Sequence, residues 1–421
     1  MIAAVALLLG GIFRGAGETT AVAASAAAGD LDQQFARDAA SLIPRLQHQL
    51  ASHPNAQGYA LLGLAYEQRV RETGDASYYP KAAGVLRRAV ALAPQNPLAL
   101  SGLGALALAR HRFREALALG HRALAISPTT ARNYGVVGDA LVELGRYDEA
   151  FRTFDAMVRA KPQLAAYARV SYARELLGDV RGSVAAMRLA LDAATGQPEA
   201  TAWTEVQLGK LYWSHGRLAP ATRAYRNALA AFPGYAYALD ALAQVEAARG
   251  HLRKAIALER RATDTIPLPQ FVAALGDLYR AYSKPRLARS QYRLVDVIAR
   301  LLDANGVKTD LETALFRIDH GIRLRETLPL AAAARRDRPS IDGDDVLAWA
   351  LARNGRCAEA LGYSQRALRL GTQDALKFFH RGVIERCLGH RAAARTWFSR
   401  ALQLNPHFSL LWAPVAREAL R

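Results

Sequence analysis

The sequence predicts an all-α fold, an α-solenoid of about ten helix-turn-helix units with a capping helix at each end. Prolines recur at Pro94, Pro128 and Pro162, and again at Pro233 and Pro267, 34 residues apart within each set. Between them, apolar residues follow a three-and-four spacing, at Tyr134, Val137 and Leu141 and then at Tyr147, Ala150, Phe154 and Met157, which places them on one face of a helix. Gly145 separates these two runs and Pro162 stops the second, so the unit is a pair of short helices. A pair this short cannot bury its own apolar face, and it needs copies of itself on either side.

The glycines repeat with the prolines. Gly104 and Gly138 stand in first helices, and Gly216 with Gly250 and Gly355 with Gly389 stand in turns, each pair 34 apart. On these residues the chain resembles the tetratricopeptide-repeat family, whose 34-residue unit carries an aromatic, Leu-Gly, Tyr, then Ala, Phe, Ala and Pro. Residues 203 to 233 match it through Trp203, Leu208, Gly209, Tyr212, Gly216, Ala221, Tyr225, Ala228 and Pro233. The resemblance implies a right-handed α-solenoid, and by itself it assigns no function.

In a repeat array the length of 421 residues counts units rather than domains, and 51% hydrophobic residues suffice for a continuous core. The formal charge of +18 comes mainly from arginines spread along every unit, which reads as a solvated outer surface. An anionic partner, nucleic acid or an acidic surface, is the alternative that charge leaves open. With two cysteines there is no disulfide framework; Cys357 and Cys387 fall toward the same edge of the stack, as a bridge or as two buried thiols.

In chain order, residues 1–30 read as a signal-peptide-like or membrane-anchor leader. The apolar run Met1 to Phe13 is too short to span a bilayer, and Ala21-Val22-Ala23 and Ala24-Ser25-Ala26 fit a signal-peptidase site. An exported or membrane-tethered protein is therefore expected, touching membrane only through this leader; a disordered leader on a cytoplasmic protein is the alternative. Residues 31–55, with Phe35, Ala39, Ile43, Leu46 and Leu50, form the N-terminal capping helix. Residues 56–304 hold repeats 1–7. The long turn of repeat 1, residues 71–79, is expected to protrude, and the second helix of repeat 7 to run on through Leu302 to a joint at Asn305-Gly306. Residues 305–421 hold the degenerate repeat 8, in which Pro329 should kink the second helix or delay its start, then repeats 9 and 10 and a C-terminal capping helix. This last portion also resembles the ending of a group of bacterial multi-repeat proteins.

No catalytic signature is present: no G-x-S-x-G elbow, H-E-x-x-H helix, Walker loop or Cys-x-x-Cys. Gly102-Leu103-Gly104 sits inside a repeat helix and reads as helix packing, and Asp342-Gly343-Asp344-Asp345 as carboxylates at a helix N-terminus. His380, His390 and His407 lack metal-ligand spacing and read as surface or cap histidines, so no metal and no cofactor are expected.

Binding is what the resemblance does suggest. In the family, the second, fifth, ninth, twelfth and thirteenth positions of each unit face a concave groove. Here those positions yield Asp139 and Glu143, Tyr172 and Glu175, Trp203, Lys210 and Trp213, Tyr237, Asp240 and Gln244, and Asp277 and Arg280. Aromatic rings interleaved with carboxylates suit an extended or helical peptide with basic and apolar side chains. The Lys and Asn pair with which one subtype clamps a C-terminal carboxylate is missing at Ser101 and Ala105, Gly135 and Asp139, and Val206 and Lys210. The reading is a non-enzymatic scaffold that holds a protein segment in its groove and assists assembly or regulation of a bacterial envelope complex.

Overall fold

A computed structural model describes residues 39–421, which form 22 helices and no strand. Helix α1 (Ala39–Ser52) caps the start, burying Ala39, Leu42, Leu46 and Leu50 against the first repeat. The repeats follow as consecutive pairs: α2 (Ala56–Thr73) and α3 (Tyr78–Leu92), α4 (Pro97–Ala109) and α5 (Phe113–Ile126), α6 (Ala131–Glu143) and α7 (Tyr147–Ala160). Repeats 4 to 6 are α8 (Leu164–Leu176) and α9 (Val180–Asp192), α10 (Pro198–Ser214) and α11 (Leu218–Ala231), α12 (Ala236–Ala248) and α13 (Leu252–Thr265). Repeats 7 and 8 are α14 (Pro269–Ala281) and α15 (Pro285–Ala304), α16 (Asp310–His320) and α17 (Leu324–Asp337). Repeats 9 and 10 are α18 (Ile341–Arg353) and α19 (Cys357–Ala367), α20 (Ala375–Cys387) and α21 (Arg391–Leu404); α22 (Trp412–Glu418) closes the stack.

Each pair forms for local reasons. Prolines open α4, α10, α14 and α15, where a missing N–H costs nothing, and Asn55, Asn96, Asp179 and Asp374 cap helices with their side chains. The turn between helices needs a left-handed residue, and Gly145 (φ 70°) supplies it in repeat 3. Within the pair, Gly138 lets the Phe154 ring lie directly on the backbone of α6; a Cβ there would run into that ring. Gly209 with Tyr225 and Gly382 with Phe398 repeat the device.

Stacking on neighbours is only part of the packing, because the solenoid closes on itself. The end of each first helix in repeats 1–5 meets the linker that follows the repeat five units later. Gly74 lies against Ile266, Arg110 donates to the Asn305 carbonyl at 2.7 Å, and Glu143 pairs with Arg338. Thr372 donates to the Leu176 carbonyl, and Asn405 donates to the Trp213 carbonyl at 2.8 Å. The hydrogen-bonded rungs span 192 to 196 residues, so one superhelical turn rests on the previous one in register. In repeat 2 the turn position holds His111 (φ 56°) instead of glycine, and its Nδ1 lies 2.6 Å from the Lys308 carbonyl oxygen.

This seam corrects two expectations. Residues 71–79 do not protrude: α2 continues to Thr73, and Tyr79 is buried. Asn305-Gly306 is not a free joint, since it is clamped to the turn of repeat 2 by Arg110. Of the two outcomes expected of Pro329, a delayed start is excluded, since α17 begins at Leu324 and the proline lies inside it, where it removes the helical donor to the Arg325 carbonyl. Cys357 and Cys387 form a disulfide between the start of α19 and the end of α20, with Cα atoms 6.1 Å apart, within the range a bridge needs. Among the described residues no helix is long and apolar enough to cross a membrane.

Candidate functional site

Where the two superhelical turns meet on the inner side, the packing leaves a cavity of about 80 Å³. That is room for a few waters or the end of one side chain, not for a folded element. One wall comes from repeats 4 and 5, with Tyr172 and Glu175 on α8 and Trp213 on α10. The other comes from repeats 9 and 10, with Asp342 at the start of α18 and Asp374 and Lys377 around the start of α20.

The far wall is held rigidly. Asp374 caps α20, accepting from the backbone N–H groups of Leu376 and Lys377 at 2.9 and 3.2 Å. The Lys377 ammonium then bridges Asp342 at 2.8 Å and Asp374 at 2.9 Å. Burial pushes both carboxyls up, but the ammonium outweighs it and holds them below the usual carboxylate range. Glu175 has no such partner. Burial and the nearby Asp374 carboxylate push it up to about 7, against the opposing pull of Lys210 and Lys377. Lys210, half-buried, is lowered by desolvation despite Asp240 and Glu175 beside it. Three carboxyls and one ammonium line the cavity, an excess of acidic groups that grows as Glu175 ionises.

The twelve groove positions divide sharply. Tyr172, Glu175 and Trp213 converge on the cavity. Asp139 is spent on Arg169, which donates to its two oxygens at 2.8 and 2.6 Å in a pair almost closed to solvent. Glu143 is spent on the seam, where Arg338 grips it from the next turn. Asp240, buried, accepts from Gln244, which is half-buried, at 3.1 Å. Trp203 is also buried, and Lys210 and Tyr237 are half-buried. Asp277 accepts from the Tyr292 hydroxyl at 2.8 Å and lies 2.8 Å from His320 Nε2, while Arg280 is exposed. The inner wall is thus largely occupied by its own partners. Most of these pairs form within one helix or repeat or between adjacent repeats, and Glu143 alone among them is held from the next superhelical turn.

Sequence reasoning missed the far wall. Asp342 was read as a helix-dipole carboxylate, and it does stand in the first turn of α18, but it also holds Lys377. Lys377, Asp374 and Thr372 gave no signal in the register of their own repeats, because they meet the cavity from one superhelical turn away. His380 is not a surface histidine either. It is fully buried, stacked on Trp349 with ring centroids 4.3 Å apart, and its Nδ1 lies 3.0 Å from Asp345.

Comparison with known proteins agrees with this architecture. Sequence profiles described as Tetratricopeptide repeat match residues 107–171 with one profile, and 74–131 and 206–268 with a second. No curated protein matches. Similar solved structures include a thermophilic TPR protein of Thermus thermophilus, at 25% identity over 46% of this chain and 98% of that one, with a TM-score of 0.40. The APC/C hetero-tetramer Cut9-Hcn1 aligns at 15% identity over 88% of this chain and 64% of that one, with a TM-score of 0.47. PilW, a type IV pilus biogenesis factor, aligns at 18% identity over 48% of this chain and 93% of that one, with a TM-score of 0.40. At scores this low none of these likenesses bears on function.

Proposed function

The chain belongs to the tetratricopeptide-repeat superfamily, and from that premise we propose that it is a non-enzymatic scaffold that takes a basic side chain of a partner's extended segment into the cavity between its superhelical turns. Repeats of this kind serve protein–protein recognition. The observation that carries the finer reading is the excess of carboxyls, Glu175, Asp342 and Asp374 against Lys377, beside the rings of Tyr172 and Trp213. An arginine or lysine tip would offset this excess while its methylenes lie on the aromatic rings. Fluorescence anisotropy with short peptides that differ only at a central Arg, citrulline or Glu tests it. The arginine peptide should bind best, and Trp213→Ala or Glu175→Gln should weaken it by about tenfold. Equal binding of the glutamate peptide, or a steep salt dependence untouched by both substitutions, would instead point to the arginine-rich exterior and an anionic partner.

The same reading extends to location. Two features support an exported or tethered protein that assists assembly or regulation of a bacterial envelope complex: the apolar leader Met1 to Phe13 and the Cys357–Cys387 bridge. Disulfides persist in oxidising compartments. Non-reducing mass analysis of the protein from its host would overturn this if both thiols were free in a cytoplasmic fraction.

A further inference from the structure

The second helix of repeat 7 departs from the others on its outer face. Helix α15 has 20 residues, whereas the second helices of the other repeats have between 11 and 15. Its buried side is narrow, with Ala288 and Val295 against the core. On the opposite side Leu287, Leu294, Val297 and Leu301 are 40 to 58% exposed. At 100° per residue these four fall within a sector of about 80°, and the intervals 287, 294 and 301 are heptads. Four exposed leucines and valines on one helix form a stripe, unlike single apolar residues scattered over a surface.

The charges beside the stripe are of one sign. Arg286, Arg289, Arg293 and Arg300 are exposed and run along one border of it. Asp296 and Asp303 lie behind this arginine row, farther from the stripe, and Asp296 is already paired with Arg317 at 3.1 Å. We propose that the outer face of α15 is a docking surface for an acidic amphipathic helix of a partner protein, independent of the inner cavity.

The geometry selects this occupant. Heptad-spaced leucines present knobs to a helix lying alongside, and the arginines that stand nearest the stripe are complemented by glutamates at the flanking positions of that helix. A second copy of the chain is a poor fit. Antiparallel, the arginine borders of two copies would face each other; parallel, the border would face Gln291, Ile298 and Leu302, none of which is negative. A lipid surface is a poor fit as well, because interfacial helices bury a broad apolar face with aromatic residues, and this stripe is one leucine wide and has none.

The full chain should be titrated with a synthetic helix of about three heptads carrying leucine at the seam and glutamate at the flanks. A twin with lysine at the flanks, and vesicles of anionic lipid, are titrated in parallel. The glutamate helix should bind, the lysine twin should not, and added salt should weaken binding by about tenfold. Leu294→Gln with Leu301→Gln should abolish binding. Arg293→Glu with Arg300→Glu should transfer it to the lysine twin, a gain that misfolding cannot produce. Equal binding of both helices, binding that survives the leucine substitutions, vesicle binding without helix binding, or self-association that is lost with Leu294 and Leu301 would each overturn the proposal.

Discussion

Repeats 1–5 and repeats 6–10 share one local pattern, yet their turn glycines live in different surroundings. In the first half the turns abut the next superhelical layer: a Cβ on Gly178 would lie 2.6 Å from the Gly371 carbonyl oxygen, and Gly145 and Gly216 likewise face Pro339 and Leu404. In the second half Gly250, Gly355 and Gly389 face open space. One residue type therefore serves two purposes, backbone conformation alone in the outer layer and conformation plus clearance at the seam. Side chains cross the seam both ways: Arg110 and Arg114 of the first half donate to the Asn305 and Arg336 carbonyls, while Arg338, Thr372 and Asn405 of the second donate to Glu143 and to the Leu176 and Trp213 carbonyls. Stability here is not a sum over nearest neighbours only, as an open solenoid would have it.

The largest way to break that distinction is Arg338→Ala. It leaves buried Glu143 without its guanidinium, and about 3–5 kcal/mol should be lost. Hydrogen exchange should then rise in two places 195 residues apart in sequence, the end of α6 and the start of α18. A purely nearest-neighbour stack would show the effect at only one of them. A smaller test compares glycines. Gly389→Ala meets only its positive φ of 82° and should cost about 1 kcal/mol. Gly178→Ala has a similar φ of 74° but must also displace the Gly371 carbonyl, and should cost about twice as much by thermal melting.

The smallest effect concerns the cavity. Burial raises Glu175 from its ordinary range to about 7, so the folded protein holds that proton more tightly than the unfolded chain does. Its contribution to stability is complete below the ordinary glutamate range and is lost as pH rises through about 7. Melting curves from pH 5 to 8 should therefore show a decline that Glu175→Gln removes. Binding of a basic peptide should strengthen over the same interval, as the cavity gains its negative charge; a pH-independent affinity would remove Glu175 from the site.

Much of the fold was legible because its signals are local. Gly138 and Phe154 on facing helices of one unit and the overlong α15 can be read from spacing and residue type within about 20 residues of chain. The candidate site was half legible. Tyr172, Glu175 and Trp213 were found through the resemblance, whereas Asp342, Asp374 and Lys377 oppose them from units five repeats later, where no periodic signal in a single unit reports contact. The same distance explains why residues 71–79 were expected to protrude and Asn305-Gly306 to hinge.

By itself, then, the sequence determined the helix pairs, their order and the faces they hide, because each depends on residues that are neighbours along one helix or in the next. Only the tertiary structure decided that the coil is tight enough for its turns to touch, that most of the expected groove positions are already paired, and that an acidic cavity lies between the turns. Superhelical pitch accumulates from small rotations at every repeat interface, each set by the packing of a few side chains, and no single repeat records their sum.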